Sequence, residues 1–197
     1  MKRIALFATA LLLSASTFFS CEKDNTINPL LAGFQLNLDF TAAEDGALAI
    51  SFGKPIDKST PLSVKSGERL AESIHLLALR DAEGRFVLAS PAADFVLSQL
   101  PAVREWPVRN RAVIRKTSLT PAEADELRQG EAASKIREAF QRGQEIDGGQ
   151  RSAPLRENDV FAIQTPDGEI ILAKVSICIG VTTPKGWCIG IHIKKDK

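Results

Sequence analysis

Apolar and polar residues alternate along much of the chain beyond residue 33. In residues 34–40, and again in residues 48–52, every second residue is Phe, Leu or Ile, and the residues between are polar or small. Alternation with a period of two is typical of a β-strand that buries one face. Because the turn-forming residues 44–46 lie between the two stretches, the pattern predicts that they pair as a hairpin.

Further strands are predicted at short intervals after this pair. Residues 73–80 and 85–89 flank a turn at 81–84 that contains Gly84, which predicts a second hairpin. A turn with Pro166, Asp167 and Gly168 separates two more apolar runs. The remaining predicted strands are residues 94–100, 112–116, 160–164, 169–179 and 187–193.

The period changes from two to that of a helix after Ser118. Thr120 and Glu123 form a capping box, and Pro121 occupies the first helical position between them. The pattern predicts two short helices, over 121–129 and 131–142, with a break near Gly130. Residue 143 begins a surface loop that continues to residue 157.

Together these patterns predict a mainly β, α+β fold. The expected architecture is an antiparallel β-sandwich-like domain of two packed sheets, with a short helical insertion at about 120–142. We expect a signal peptide at 1–20, a tether at 21–32 and a single domain at 33–197. The composition agrees with a globular domain, since 44% of the residues are hydrophobic and 25% are charged.

The first 24 residues have the layout of a bacterial secretion signal. Lys2 and Arg3 precede an apolar run over 4–13, which is too short to span a bilayer because spanning takes about 20 residues. The run leads to Cys21, which we expect to carry the lipid anchor. Cleavage after the small residues 14–16 is the alternative, and it would release a soluble secreted protein.

The residues around Cys21 resemble those of the lipoproteins of Bacteroidota. Phe18 and Phe19 depart from a strict lipobox, and the charged string 22–24 follows the cysteine. Bacteroidota lipoproteins have a loose lipobox and a Lys-plus-acid string that resembles a surface-export signal. The resemblance implies a cell-envelope protein that is anchored by lipid to the outer membrane and exposed at the surface. It covers about 25 residues and concerns location alone.

The charge balance argues against nucleic acid as a partner. Removal of residues 1–20 takes away Lys2 and Arg3 and no acid, which leaves 23 basic and 24 acidic side chains. A chain so close to neutral has no global field that would steer it to a polyanion. The expected partners are therefore the membrane, through the lipid, and an envelope protein or a glycan.

Cys178 and Cys188 are predicted to form a disulfide. Both alternate with the apolar residues of their strands, and a loop over 181–185 would place them directly opposite each other with the isoleucines grouped on the other face. An exported protein meets the oxidising conditions that the bond requires. A tighter turn on Pro184 and Gly186 would shift the register and separate the two sulfurs.

A basic stretch around Trp106 is the candidate ligand-binding site. Arg104, Arg109 and Arg111 surround the indole, so the group could hold an anionic glycan or the carboxylates of a partner. The alternative is a solvated edge strand that its own charges protect from pairing.

The main function predicted is non-catalytic binding or envelope assembly, with no cofactor. Two alternatives stay open. The first rests on the only two histidines of the chain, His75 and His192, and on the strand–turn–strand segment 161–168. A pair of histidines and such a segment resemble features of the haem-scavenging lipoproteins of the same bacterial group, which implies that the histidines bind haem or a metal. The other interpretation of this pair is one partly buried histidine and one exposed histidine without a ligand. An envelope hydrolase is also open: the chain has no recognisable catalytic motif, but acids distant in sequence can meet in space. Whether the protein is an enzyme is thus uncertain, and the absence of motifs argues against it.

Overall fold

The computed structural model describes residues 34–40, 46–52, 58–62, 64–127, 131–178 and 188–195. The predicted signal peptide, Cys21 and the tether lie outside these residues. Ten strands are described: β1 Phe34–Asp39, β2 Ala47–Ser51, β3 Lys58–Pro61, β4 Leu76–Arg80, β5 Phe86–Ala89, β6 Val113–Lys116, β7 Gln144–Glu145, β8 Val160–Gln164, β9 Ile170–Cys178 and β10 Cys188–Lys195. The α-helices are α1 Val64–Leu70, α2 Asp94–Gln99, α3 Pro121–Glu126 and α4 Ala132–Arg142, and single 3-10 turns lie at Ala71–Ser73, Pro101–Glu105 and Asp147–Gly149.

The strands form two antiparallel sheets. The six-stranded sheet has the order β1-β10-β9-β8-β6-β7, and the four-stranded sheet has the order β3-β2-β4-β5. The main core lies between them, where alternate residues of both sheets meet. Its fully buried members include Leu38, Ile50, Leu76, Phe161 and Ile171.

Helices cover the outer face of each sheet. On the four-stranded sheet, α2 and the turn Pro101–Glu105 contribute Val96 and Val103 to a second apolar cluster. On the six-stranded sheet, α3 and α4 contribute to a third cluster with Val160 and Leu172 of the sheet. The molecule is therefore built in four layers, in the order helix, sheet, sheet, helix. Strands at the centre of such a stack bury both faces, which explains the unbroken apolar run Leu76, Leu77, Ala78, Leu79 in β4.

The predicted mainly β sandwich with helices near 120–142 is confirmed. The hairpin of β4 and β5 forms as expected, and Gly84 in its turn has φ +77°. The capping box at Thr120 is present at the start of α3, and α4 follows it. Two i,i+4 ion pairs follow α4, with Lys135 Nζ 3.1 Å from the carboxylate of Glu131 and the guanidinium of Arg142 2.9 Å from the carboxylate of Glu138.

The first predicted hairpin is wrong, because β1 and β2 belong to different sheets. β1 pairs with β10 in the six-stranded sheet, whereas β2 pairs with β3 and β4 in the four-stranded sheet. The apolar residues of both strands nevertheless enter the same core, Leu38 from one sheet and Ile50 from the other. Alternation shows which face of a strand is buried and does not identify its neighbour, so two strands that face each other across the core carry the same pattern as a hairpin.

The predicted strand at 94–100 is also wrong, because Asp94–Gln99 is helix α2. Asp94 lies in the first turn, where an acid interacts favourably with the helix dipole. Val96 is buried and Leu100, four residues later, packs against the same cluster, as expected for one face of a helix. The segment contains apolar residues at both two-residue and four-residue spacing, and the contact with the sheet face favours the helix.

Candidate functional site

Residues 104–111 are here called the arginine loop. The loop begins in the last two residues of the turn Pro101–Glu105 and leads to β6, and residues 106–111 have no regular structure. Arg104, Arg109 and Arg111 are all exposed. None of the three forms an ion pair with any residue in the described ranges. The guanidinium of Arg109 donates a hydrogen bond to the main-chain carbonyl of Arg104, which ties the two ends of the loop together.

Trp106 anchors the loop in the core and does not lie at the surface. Its side chain is 3% exposed and belongs to the cluster on the outer face of the four-stranded sheet. The indole lies against Gly67 of α1 so closely that a Cβ there would be 2.3 Å from Cζ2. The predicted contact between this ring and a ligand is therefore wrong, and Trp106 is a residue that positions the arginines.

Asn110 fastens the loop to the turn Ala71–Ser73 through its carboxamide. Nδ2 donates to the main-chain carbonyls of Ala71 at 3.3 Å, Glu72 at 3.0 Å and Ile74 at 2.8 Å. These acceptors lie at the end of a turn of 3-10 helix, where carbonyl groups commonly lack a main-chain partner, although that of Ala71 also accepts from the main-chain N–H of Ile74 at 3.3 Å. One side chain therefore satisfies a set of carbonyl groups and fixes the position of the residue between Arg109 and Arg111.

Ser90 holds the same residue from the other side. Its hydroxyl donates to the carbonyl of Asn110 at 2.7 Å and accepts from the main-chain N–H of Ala112 at 3.1 Å. Ser90 is fully buried, so these hydrogen bonds are shielded from water. The arginine loop is thus irregular in conformation but held at Trp106, Asn110 and Ala112. A loop fixed in this way loses little conformational freedom when it binds.

The basic residues after the arginine loop have structural partners. Arg115 donates to the carboxylate of Glu145 and stacks 4.4 Å above the centre of the Phe140 ring. Lys116 Nζ lies 2.7 Å from Asp159. The alternative of a charged edge strand is wrong, since residues 104–111 form no strand and β6 lies between β8 and β7. The exposed arginines before β6 are therefore the part of the basic stretch that is available to a ligand.

Asn110 and Ser90 were not found from the sequence. Asn and Ser are common in loops, and their partners here lie 20 to 39 residues away along the chain. The one local signal is that Asn110 stands between Arg109 and Arg111 in a stretch interrupted by Pro107, which is typical of an ordered irregular loop.

His75 makes a specific contact that involves a ring nitrogen. Its Nδ1 accepts a hydrogen bond from the main-chain N–H of Phe52 at 3.1 Å. His75 precedes β4 of the four-stranded sheet, whereas His192 lies in β10 of the six-stranded sheet, and the side chain of His192 is outside the description. Among the described residues, no group of three or more His, Cys, Asp or Glu could hold a metal ion. A joint role in haem binding stays a prediction.

The two cysteines of the domain lie opposite each other in the strand register. Cys188 of β10 pairs with Cys178 of β9, and Ile189 pairs with Ile177, which is the predicted alignment. The side chains of both cysteines lie outside the described residues, so the disulfide stays a prediction.

A half-open cleft of about 710 Å³ lies beside α3 and α4, and four glutamates line it. Glu123 accepts hydrogen bonds from the main-chain N–H of Thr120 at 2.7 Å and from its hydroxyl at 2.8 Å, which lower the pKa of the carboxyl. Glu131 and Glu138 are in the ion pairs along α4. Three of the four acids thus have partners within the helices. The described residues of the cleft therefore offer no pair of unpartnered carboxylates of the kind that the hydrolase alternative needs.

None of the helices in the described ranges is long and apolar enough to cross a membrane.

Comparison with known proteins shows a shared fold and no more. No protein family and no curated protein matches this chain. Among solved structures, a DUF4466 family protein from Parabacteroides merdae, a member of Bacteroidota, is similar with a TM-score of 0.52. The two sequences are 10% identical, and the match covers 84% of this chain and 54% of the other, so this chain spans about half of that protein's length.

Proposed function

We propose that this chain is an exported, lipid-anchored protein of the cell envelope that binds an anionic ligand at the arginine loop and catalyses no reaction. The observation that carries the proposal is the combination of three exposed arginines, which form no ion pair with a described residue, and a loop backbone held by Trp106, Asn110 and Ser90. Loops positioned by a rigid scaffold commonly carry binding residues.

The chemistry of arginine indicates the class of ligand. A guanidinium keeps its charge at every physiological pH and binds carboxylate, sulfate or phosphate through two parallel hydrogen bonds. Because the domain as a whole is nearly neutral, the attraction is local and acts over about 8 Å at physiological salt. An acidic glycan supplies repeated carboxylates or sulfates at this range, and it is the ligand we favour over the acidic side chains of a partner protein.

Binding to defined polyanions tests the loop. A variant with R104Q, R109Q and R111Q is compared with a control that carries K135Q, R142Q and R156Q, which removes the same charge at positions outside the arginine loop. We expect wild type and control to bind polygalacturonate or heparin in calorimetry at low salt, and the loop variant to bind at least about tenfold more weakly, a loss of about 1.4 kcal/mol. Equal weakening in both variants, or no binding by wild type, would contradict the proposal, and binding to poly-glutamate alone would favour a protein partner.

The location has a separate test at Cys21. Acyl chains stabilise membrane attachment by about 0.8 kcal/mol for each buried CH₂ group. We expect C21A to move the protein from the membrane pellet to the soluble fraction, and protease added to intact cells to digest the wild-type protein. A C21A protein that stays in the pellet would contradict the anchor, and protection from protease would contradict surface exposure. The same exported location is the reason why we propose a Cys178–Cys188 disulfide.

A further inference from the structure

Both main-chain polar groups of Phe52, the residue after β2, are bound by side chains from other parts of the fold. Its N–H donates to Nδ1 of His75 at 3.1 Å, and its carbonyl accepts a hydrogen bond from Nζ of Lys195. His75 precedes β4 in the four-stranded sheet, and Lys195 ends β10 in the six-stranded sheet. Phe52 therefore ties the two sheets together at this end of the sandwich.

Charged groups surround this junction. Nζ of Lys195 lies 3.8 Å from the carboxylate of Glu169, and both side chains are less than one-fifth exposed. The turn between β8 and β9 carries Asp167, whose carboxylate is close enough to His75 for the two charges to interact. The pKa of Asp167 is lowered, mainly by a hydrogen bond from the Thr165 hydroxyl and in part by the charge that His75 carries when protonated. The ring of Phe52 lies 5.8 Å from the imidazole, centre to centre.

The protonation state of His75 decides whether the contact with Phe52 exists. An imidazole accepts a hydrogen bond at Nδ1 only when that nitrogen carries no proton, and a doubly protonated ring has two donors and no acceptor. The bond to Phe52 therefore requires neutral His75. A protonated ring would place its own N–H against the N–H of Phe52, and the two donors repel each other. The carboxylate of Asp167, in the turn between β8 and β9, is an acceptor for the protonated ring.

We propose that His75 is a pH-operated latch between the two sheets: the neutral ring holds Phe52, and the protonated ring releases Phe52 and turns toward Asp167. Histidine is the side chain that ordinarily changes charge between pH 5 and 8, with a usual midpoint near 6.5, whereas carboxylates and amines ordinarily do not. His75 is thus the group that responds. Among the described residues, Asp167 interacts with it electrostatically, and Lys195 and Glu169 lie on the other side of the junction, at the carbonyl of Phe52. The latch is independent of the arginine loop and of any ligand bound there.

The release is measured at the Phe52 amide by hydrogen exchange in the ¹⁵N-labelled protein, as a protection factor corrected for intrinsic exchange. We expect the protection factor of wild type to fall at least about tenfold between about pH 8 and about pH 5. H75N is the matched variant, because its amide oxygen lies about where Nδ1 lies and does not titrate. It should protect Phe52 at both pH values, and H75A should leave the amide unprotected at both.

Two further variants test whether the pH-dependent change in protection of the Phe52 amide arises at His75. D167N removes the carboxylate that attracts the protonated ring, so the midpoint of the wild-type change should move to lower pH. H192N alters the other histidine of the chain and should behave as wild type. Equal protection of Phe52 in wild type at both pH values would overturn the latch. So would an H75N variant that loses protection as wild type does, or an H192N variant in which the change disappears.

Discussion

The carboxamide of Asn110 donates a 2.8 Å hydrogen bond to the main-chain carbonyl of Ile74, and this bond joins residues 36 positions apart in the chain. It places the three exposed arginines at a fixed position relative to the four-stranded sheet, although their own segment is irregular. The loop is therefore ordered by partly buried polar contacts and by one buried indole, and its charges are left to the solvent. The residues that hold the loop are therefore different from the exposed arginines that we propose to bind a ligand.

Asn110 can be tested without changing any charge. N110L keeps the shape of the side chain but removes its hydrogen bonds to the carbonyls of Ala71, Glu72 and Ile74, of which that of Ala71 keeps its bond from the main-chain N–H of Ile74. We expect the free energy of unfolding in urea to fall by about 1–3 kcal/mol, because the partly buried carbonyl of Ile74 loses this donor. Affinity for polygalacturonate should also fall, although all three arginines remain.

The control for this substitution is S98A in α2. Its hydroxyl donates to the carbonyl of Phe95 at 2.7 Å on the exposed side of the helix, so we expect a change of at most about 0.5 kcal/mol. An N110L protein that loses stability but binds polygalacturonate as wild type does would show that the loop needs no fixed backbone.

The contact between Gly67 and Trp106 predicts a strong dependence on size. In G67A the new Cβ would lie 2.3 Å from Cζ2 of Trp106 and 2.5 Å from Cδ1 of Leu62. Overpacking of this kind costs about 1–3 kcal/mol, and contact with two side chains puts G67A above the lower end of this range and above the gain of at most about 1 kcal/mol from replacing Gly by Ala within a helix. We expect a net loss of stability, measured as a lower urea midpoint with an unchanged slope.

A double-mutant cycle shows whether the indole is the cause. W106F removes the second ring of the indole and with it Cζ2, so G67A should cost clearly less in the W106F background than in wild type. If G67A costs the same in both backgrounds, the close contact at Trp106 is not what excludes a larger residue at position 67.

Local patterns allowed the prediction of β4, β5, β8 and β9, because each stretch carries its own alternation and its own turn residues. The capping box at Thr120 likewise identified the start of α3 from four consecutive residues. The partner of β1 could not be predicted in this way. Its neighbour β10 lies about 150 residues later in the chain, and nothing in either stretch identifies the other.

The candidate site was predicted in part for the same reason. Arg104, Arg109 and Arg111 are visible as a run of like charges, and their exposure follows from charge alone. The burial of Trp106 depends on Gly67 in α1, and the role of Asn110 depends on the turn Ala71–Ser73. Both partners lie 30 or more residues away, so the sequence around the arginines does not distinguish the buried anchor Trp106 from the exposed arginines.

The capping box predicts a loss of stability when Thr120 is replaced. In T120A the main-chain N–H of Glu123 loses its acceptor at the start of α3, so we expect a loss of about 1 kcal/mol in urea unfolding. T120S keeps the hydroxyl and should differ little from wild type. A T120A protein as stable as T120S would mean that the cap does not contribute to the stability of the domain.

Glu123 gives the same cap a dependence on pH. Hydrogen bonds from the main-chain N–H and the hydroxyl of Thr120 lower the pKa of this carboxyl in the folded protein. A group with a lowered folded pKa adds stability above its unfolded pKa of about 4.3, and that stability is lost as pH falls through the folded value. We therefore expect wild type to be more stable than E123Q at pH 7, and the difference to shrink below about pH 4. A difference that is independent of pH would contradict this assignment.

The register of β9 and β10 makes the disulfide directly testable. Trypsin cuts after Lys174, Lys185 and Lys194, so the two cysteines fall on peptides 175–185 and 186–194. In the denatured, non-reduced and alkylated protein we expect these peptides to have one combined mass, which reduction divides into two.

A disulfide between Cys178 and Cys188 would close a short loop, and the length of that loop sets its expected effect on stability. We expect reduction to lower the free energy of unfolding of wild type by about 2–3 kcal/mol and to leave C178S/C188S unchanged. Two separately alkylated peptides from protein purified out of the envelope would show that the thiols stay free. In that case Cys178 and Cys188 would lie opposite each other in the strand register but would not form a bond.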